Sequence, residues 1–213
     1  MIQTRRCSQR IISTARAING YKRNILRGTD TGPKGFKMKE IRIHGRAGQG
    51  AWTAGNLLAM AAIDEGKFAQ SFPEFGPERM GAPMVAFARI DEKPIELHCD
   101  VYEPNCVLVL DPTLVKIANV AEGTSRESKV IINTSKDIKV EGARTFRVPA
   151  SEIAMKVLGK DITNTAILGA LLKVEPLIKI ETLFKAIDAR FPSRLAELNK
   201  QVVKEAYERV EEI

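Results

Sequence analysis

Short runs of apolar residues alternate with helix-like segments along most of this 213-residue chain, and this alternation restricts the possible folds more than any other feature. Two of the runs, at residues 107–110 and 130–132, contain no polar residue. Such runs are typical of parallel strands that are buried on both faces of a sheet. We therefore predict an α/β fold of three layers, with a mostly parallel sheet and helices on both of its faces.

The remaining elements complete this pattern, with one exception at an edge of the sheet. Residues 84–90 and 94–99 are strand-like runs on either side of Asp91-Glu92-Lys93, and we predict that they pair as an antiparallel hairpin at one edge. Further strands are predicted at residues 41–44, 68–71 and 146–148, and helices at residues 51–65, 112–120, 151–158, 166–174, 180–190 and 195–210. Together they form one predicted domain over residues 38–213.

A glycine-rich segment joins the first predicted strand to the first predicted helix, and residues 44–50 read HGRAGQG. Glycines this close together allow a sharp backbone turn and let another group approach the backbone N–H groups. The N-terminus of the following helix carries partial positive charge, so the turn favours an anion. Arg46 can add two hydrogen bonds to a phosphate or carboxylate. The alternative is a tight turn without a ligand. The candidate binding residues of this turn are Gly45, Arg46, Gly48, Gln49 and Gly50.

The spacing of these glycines disfavours a dinucleotide site. The dinucleotide fingerprint is Gly-x-Gly-x-x-Gly followed by an acidic residue at the end of the second strand, whereas this turn has the order Gly-x-x-Gly-x-Gly. Residues 70–72, at the end of the second predicted strand, are uncharged, and Asp64 and Glu65 lie at the end of the helix instead. A stand-alone nucleotide-binding α/β protein is therefore kept only as an alternative of another class.

A second candidate region is the loop at residues 72–83, which reads FPEFGPERMGAP. Its two glycines and three prolines make the loop stiff. A long, rigid loop beside a sheet edge is more often a binding surface than a linker. Glu78 and Arg79 are its candidate binding residues, which would position or dock the loop. An ion pair that only stabilises the loop is the alternative interpretation of these two residues.

Further polar residues follow predicted strands at the edge where the glycine turn emerges. In a parallel sheet the carboxyl ends of the strands share one edge, and ligands bind there. Asp111 and the segment Asn133-Thr134-Ser135 are expected at that edge. We interpret Asp111 as the cap of the helix that opens at Pro112, and Asn133 and Ser135 as turn residues.

The basic character of the chain is concentrated at its N-terminus. The formal net charge is +7, but residues 1–37 hold nine of the 33 Lys and Arg and one of the 26 acidic residues. That leaves 24 basic against 25 acidic residues in the body, which disfavours nucleic acid as a partner. We interpret residues 1–37 as an extension outside the domain, either disordered or upstream of a start at Met38. A transit peptide and a tether to an acidic surface or nucleic acid are the alternatives.

Residues that could carry catalytic or metal chemistry are sparse. The histidines are His44 and His98, and Cys7, Cys99 and Cys106 show no Cys-x-x-Cys spacing. Iron–sulfur and structural zinc sites need about four ligands, and neither a nucleophile elbow nor a Walker lysine is present. The sequence contains no stretch of about 18 apolar residues, so no membrane-spanning helix is predicted. The chain is therefore predicted to be a binding or assembly module with no catalytic or metal-binding residues of its own.

Three segments, in order, resemble the gamma subunit of pyruvate:ferredoxin oxidoreductase and related 2-oxoacid:ferredoxin oxidoreductases. The first is residues 41–50, where the family commonly has Gly-Arg-Gly-Gly-Gln-Gly and this chain has Ala47 in place of one glycine. The second is residues 70–83, which end in the family form Gly-x-Glu-Arg-x-Gly-Ala-Pro, and the third is residues 162–170, ITNTAILGA. The resemblance covers about residues 38–210, and Ala47 makes the backbone there slightly less open to approach.

The resemblance implies a subunit of a heteromeric, cytoplasmic pyruvate synthase, which oxidatively decarboxylates pyruvate to acetyl-CoA and reduces ferredoxin. It implies alpha, beta and delta subunits as partners, which hold thiamine diphosphate, Mg²⁺ and 4Fe–4S clusters. The gamma chain is then inactive alone and helps to form the coenzyme A side of the complex and the subunit interfaces. A gamma subunit shared with or dedicated to 2-oxoisovalerate:ferredoxin oxidoreductase is the near alternative. We expect the glycine turn to hold a coenzyme A phosphate or a partner carboxylate.

Overall fold

The computed structural model describes residues 37–74 and 80–213. The predicted N-terminal extension, apart from Lys37, and the candidate residues Glu78 and Arg79 lie outside the described residues. The described strands are β1 (Lys39–Arg46), β2 (Phe68–Pro73), β3 (Pro83–Asp91), β4 (Cys106–Val109), β5 (Lys129–Asn133), β6 (Arg144–Val148) and β7 (Glu211–Glu212).

The helices of the described residues follow the predicted positions, except for one that is much shorter. The exception is the helix predicted over residues 112–120, which has only four residues because Asn119 takes a left-handed conformation with φ of 42° soon after it. The helices are α1 (Ala51–Asp64), α2 (Leu114–Ile117), α3 (Ala150–Leu158), α4 (Asn164–Val174), α5 (Ile180–Arg190) and α6 (Ser193–Arg209).

The described strands form one sheet in the order β2-β3-β1-β4-β5-β6-β7. Strands β1, β4, β5 and β6 run parallel to one another, which confirms the predicted parallel sheet. Antiparallel strands flank this parallel centre, with β3 and β2 on one side and the short β7 on the other. The chain order reverses between β1 and β4, and the carboxyl ends of strands at such a switch point are a common place for a ligand site.

The antiparallel hairpin at the edge consists of β2 and β3, and the prediction that residues 94–99 form its second strand is wrong. β3 pairs with β1 on one side and with β2 on the other, so both of its hydrogen-bonding edges are occupied. Residues 94–99 are instead held by side chains of the sheet. Gln70 Nε2 donates a hydrogen bond to the Ile95 carbonyl at 3.0 Å, and the buried Arg89 donates through Nη2 to the Cys99 carbonyl at 2.7 Å.

Helical structure is present on both faces of the sheet, as predicted, but one face has several long helices and the other has one short helix among the described elements. On one face α1 packs against β1, β2 and β3, and α4 packs against β4 and β5. Helix α5 packs against α1, and helices α3 and α6 pack against α4. The other face is covered by the short helix α2 and by connecting loops. The buried core on that face consists of Val107, Val109, Leu114, Val120, Val130, Ile132 and Val140.

Candidate functional site

The glycine turn joins β1 to α1 at the carboxyl edge of the sheet, beside the end of β4. Gly48 and Gly50 have φ of 99° and 80°, a left-handed conformation that residues with a side chain rarely adopt. A Cβ atom on Gly50 would also lie 2.6 Å from Nδ2 of Asn164, the first residue of α4. The backbone conformation therefore favours glycine at both positions, and an added side chain at position 50 would also displace the amide group of Asn164.

Hydrogen bonds and close packing within the turn fix its shape. The side-chain Oε1 of Gln49 accepts a hydrogen bond from the Arg46 N–H at 2.8 Å, and the Gln49 N–H donates to the Arg46 carbonyl at 2.9 Å. Gly45 lets the strand approach the helix, because a Cβ atom there would lie 3.2 Å from the Cβ atom of Ala51. In this structure Gly45 and Gln49 therefore shape the turn.

Backbone N–H groups without an acceptor are concentrated where the turn enters α1. Within the described residues, no acceptor is present for the N–H groups of Gly48, Gly50, Ala51, Trp52 and Thr53, and no side chain caps the helix. The first turn of a helix leaves its N–H groups unpaired and carries partial positive charge. An anion is the ligand that this arrangement favours.

A second helix begins against the same turn. Asn164 opens α4, is 5% exposed, and packs its side chain against Gly50. Its Oδ1 accepts a hydrogen bond from the Thr165 N–H at 2.9 Å, whereas its Nδ2 has no acceptor in the described part of the chain. The N-termini of α1 and α4 therefore converge, and their partial positive charges add. Reasoning from the sequence gave Asn164 no role, and its only signal was its place in the third segment of the family resemblance.

Arg46 is bound to three acceptors of the protein. Its Nε donates to Asp111 Oδ2 at 2.6 Å, its Nη2 donates to Thr113 Oγ1 at 2.8 Å, and its Nη1 donates to the Gly81 carbonyl at 3.1 Å. These bonds use part of the five-donor capacity of the guanidinium group. The Asp111 carboxylate also offsets its positive charge. Arg46 therefore attracts an anion less strongly than the sequence alone suggests.

Asp111 is an ionised partner of Arg46, and its side chain also accepts a backbone N–H two residues on, as a helix cap does, although α2 begins later than predicted, at Leu114. The residue before α2 is Thr113, and Asp111 Oδ1 accepts hydrogen bonds from the Thr113 N–H at 2.9 Å and from the Thr113 hydroxyl at 2.6 Å. Burial by itself raises the pKa of Asp111, but hydrogen bonds from Thr113 and Arg46 outweigh it, so the pKa lies below its usual value. The carboxylate is therefore charged at neutral pH.

The other polar residues predicted at this edge have structural partners. Asn133 Nδ2 donates to the Leu110 carbonyl at 2.8 Å, and Asn133 Oδ1 accepts a hydrogen bond from the Ser151 N–H at 3.0 Å. Asn133 thereby ties the end of β5 to the end of β4 and to the first turn of α3. The hydroxyl of Ser135 donates to the carboxylate of Glu152, also in α3. Both side chains stabilise the connections at this edge of the sheet.

His44 lies in β1, immediately before the turn, and is 3% exposed. Neither of its ring nitrogens has a hydrogen-bond partner within the described residues. Burial, and to a smaller extent the positive charge of Arg42, lowers the pKa of His44 to about 3. The imidazole is therefore neutral at physiological pH and is a packing residue of the sheet.

Two other features bear on the kind of site this is. Within residues 37–74 and 80–213, no group of three or more His, Cys, Asp and Glu side chains is arranged to hold a metal ion. None of the described helices has the length and apolar character needed to cross a bilayer. The chemistry that the described residues offer at the glycine turn is hydrogen bonding and charge complementarity to an anion.

Solved structures with the same fold define the class of protein. The pyruvate oxidoreductase subunit PORC of Thermotoga maritima superposes with a TM-score of 0.74 and 39% identity, covering 83% of this chain and 98% of that one. The 2-oxoglutarate:ferredoxin oxidoreductase of Magnetococcus marinus shares the fold alone, with a TM-score of 0.68 and 18% identity over 81% of this chain and 31% of that one. The fold, with its glycine turn at the switch point, is that of the gamma-type subunits of 2-oxoacid oxidoreductases.

Sequence comparison gives the family. The profile described as "Pyruvate ferredoxin/flavodoxin oxidoreductase" matches residues 40–209, and this chain belongs to that family. The common gamma subunit of the pyruvate and ketoisovalerate oxidoreductases of Pyrococcus furiosus is 48% identical, over 82% of this chain and 98% of its own length. The pyruvate synthase subunit PorC of Methanocaldococcus jannaschii is 49% identical, over 80% of this chain and 96% of its own length. The prediction of a gamma subunit of a 2-oxoacid:ferredoxin oxidoreductase is confirmed.

Proposed function

We propose that this chain forms the coenzyme A side of a pyruvate:ferredoxin oxidoreductase complex and holds a phosphate group of coenzyme A at the glycine turn. Alpha, beta and delta subunits are the proposed partners in a cytoplasmic complex, and they carry thiamine diphosphate, Mg²⁺ and the iron–sulfur clusters. Ferredoxin accepts the electrons. The Magnetococcus marinus enzyme that shares this fold was solved with coenzyme A and succinyl-CoA bound, which supports coenzyme A as the source of the anion.

The observation that carries this proposal is the convergence of two helix N-termini on one glycine turn. Within the described residues, the N–H groups of Gly48, Gly50, Ala51, Trp52 and Thr53, in the turn and in α1, have no acceptor, and neither does Nδ2 of Asn164 in α4. Donors that are fixed before the ligand arrives lose little conformational entropy on binding. A phosphate accepts several hydrogen bonds at once, so it matches a cluster of donors better than a neutral group does.

The 2-oxoacid is proposed to be pyruvate, with 2-oxoisovalerate as a second substrate where the subunit is shared. Relatives of both kinds support this assignment. The Pyrococcus furiosus relative is common to pyruvate and ketoisovalerate oxidoreductases, and the Methanocaldococcus jannaschii relative belongs to pyruvate synthase. Copurification of the native chain with thiamine- and cluster-bearing subunits, followed by assays with both 2-oxoacids, decides between a dedicated and a shared subunit.

Replacement of Asn164 by aspartate separates binding from folding at this site. The change keeps the shape of the side chain but places a negative charge where the proposed phosphate binds. Two charges about 4 Å apart repel by about 4 kcal/mol at an effective dielectric constant of about 20, and solvent reduces this figure. We expect the KM for coenzyme A of the assembled complex to rise by about tenfold or more, which corresponds to about 1.4 kcal/mol.

The stability of the Asn164→Asp variant is expected to stay equal or to increase. An acidic residue in the first turn of a helix stabilises it by about 0.3–1 kcal/mol. The matched control is Gln201→Glu, which adds the same charge on the exposed face of α6 and leaves the KM for coenzyme A unchanged. An unchanged KM in an intact Asn164→Asp complex contradicts coenzyme A binding at the glycine turn.

A further inference from the structure

The side chain of Arg46 joins three segments that are distant in sequence. It leaves the end of β1, pairs with Asp111 and Thr113 after β4, and donates to the Gly81 carbonyl at the end of the long loop. The Nε–Asp111 bond is the shortest of the three, at 2.6 Å, and it joins two opposite charges. A bond between two opposite charges is stronger than the bonds from the guanidinium group to the uncharged oxygens of Thr113 and Gly81, so Asp111 sets the orientation of the guanidinium plane.

The third segment forms a wall of the glycine turn. The Gly81 N–H donates to the Ala47 carbonyl at 3.1 Å, and the Ala47 N–H donates to the Ala82 carbonyl at 2.9 Å. Met80 Sδ lies 3.0 Å from the position that a Cβ atom on Gly48 would occupy. Residues 80–82 therefore contact the turn directly, and the hydrogen bond from Arg46 to Gly81 holds them there.

We propose that Asp111 is a positioning residue that acts through Arg46. The carboxylate orients the guanidinium group, the guanidinium group holds the Gly81 carbonyl, and residues 80–82 are thereby fixed against Gly48. Neither Asp111 nor Thr113 needs to touch the ligand. The consequence for coenzyme A rests on the proposed function, because it requires that the glycine turn be the anion site.

If only charge mattered, removal of the Asp111 carboxylate would change anion binding in the opposite direction. The direction of the change in affinity therefore tests the proposal. A carboxylate near an anion site repels the anion, so its removal strengthens anion binding if repulsion is its main effect. If positioning is its main effect, removal weakens binding because the wall of the turn loses its anchor. The structure favours positioning, because the Asp111 charge is already offset by Arg46 at 2.6 Å.

The test is a double-mutant cycle in the assembled complex, with Arg46→Ala, Asp111→Ala and the double variant. We expect each single variant to raise the KM for coenzyme A by about fivefold, with the KM for pyruvate within about twofold as the internal control. Because Asp111 acts through Arg46, the double variant should resemble the single variants instead of multiplying their effects. Asp111→Asn keeps an oxygen acceptor for Nε and should lie between wild type and Asp111→Ala.

A second readout does not depend on coenzyme A. Amide hydrogen exchange of the Gly81 N–H in the ligand-free complex should become faster, to the same extent, in Arg46→Ala and Asp111→Ala. A lower KM for coenzyme A in Asp111→Ala, effects that multiply in the double variant, or unchanged exchange at Gly81 overturns the proposal. If the KM for coenzyme A is insensitive to Arg46→Ala and Asn164→Asp while exchange of the Gly81 N–H becomes faster in Arg46→Ala and Asp111→Ala, the coenzyme A assignment fails and the positioning role of Asp111 stands.

Discussion

Replacing Gly169 by alanine is expected to destabilise this protein by about 3 kcal/mol, because it forces two packed helices apart. Alanine in place of glycine inside a helix normally stabilises it by about 1 kcal/mol. Here the added Cβ atom would lie 3.0 Å from the carbonyl carbon and the Cα atom of Val203 in α6, and closer still to the Val203 oxygen. These are backbone atoms, so the contact is relieved only if α4 and α6 move apart.

The matched control for Gly169 is Gly55→Ala in the interior of α1. A Cβ atom on Gly55 would lie 2.6 Å from the hydroxyl of Ser71, which can rotate away because it has no hydrogen-bond partner within the described residues. The nearest backbone atom, the Phe87 oxygen, is 3.6 Å away. Urea unfolding of the full chain should show a large loss for Gly169→Ala and a small change for Gly55→Ala. Equal stabilities would contradict the close packing of α4 on α6.

The second large expected effect is a loss of stability in acid that depends on His44. The pKa of His44 is about 3 in the folded protein, against an ordinary value of 6.5. Below pH 6.5 the unfolded chain binds a proton that the folded chain excludes, so the contribution of His44 to stability is complete above that pH and is lost as the pH falls toward 3. At about 1.4 kcal/mol for each pH unit, the loss is about 2 kcal/mol at pH 5.

The variant His44→Leu removes this titration, because it replaces the buried imidazole by an apolar side chain of similar size. Between pH 7.5 and pH 5, the free energy of unfolding of this variant should fall by about 2 kcal/mol less than that of the wild type. The control is His98→Gln, which removes the exposed imidazole of the chain and leaves the buried one in place. Parallel pH profiles for His44→Leu and wild type would show that the imidazole is not excluded from protonation in the folded state.

The sequence predicted individual strands and helices well but did not predict all of their neighbours. Residues 84–90 and 94–99 are separated by a short polar turn and have the pattern of a hairpin. That edge of β3 is instead taken by β2, which precedes β3 in the chain and packs against α1. Which strand pairs with β3 depends on which one can also bury its side chains under α1. The alternation of apolar and polar residues within each segment does not show this difference between the two candidates.

The candidate site was likewise predicted only in part from the sequence. Gly48 and Gly50 were identified from their spacing, and the structure places both in the left-handed conformation that favours glycine. The roles of Arg46 and Asp111 changed, because the two residues are 65 positions apart and meet only when β1 and β4 pair. One carboxylate oxygen of Asp111 accepts the Thr113 N–H, as the predicted cap would, and the other oxygen pairs with the guanidinium group of Arg46, which local sequence could not show.

The sequence by itself determined the α/β class, the glycine turn that opens the first helix and the family to which the chain belongs. These depend on apolar periodicity, on residues that must adopt left-handed conformations, and on short motifs, all of which are local properties. Only the tertiary structure decided that α4 begins against the turn, that Asn164 packs on Gly50, and that Asp111 orients Arg46. Those contacts follow from the order of strands in the sheet, because that order brings segments far apart in the chain to within hydrogen-bonding distance.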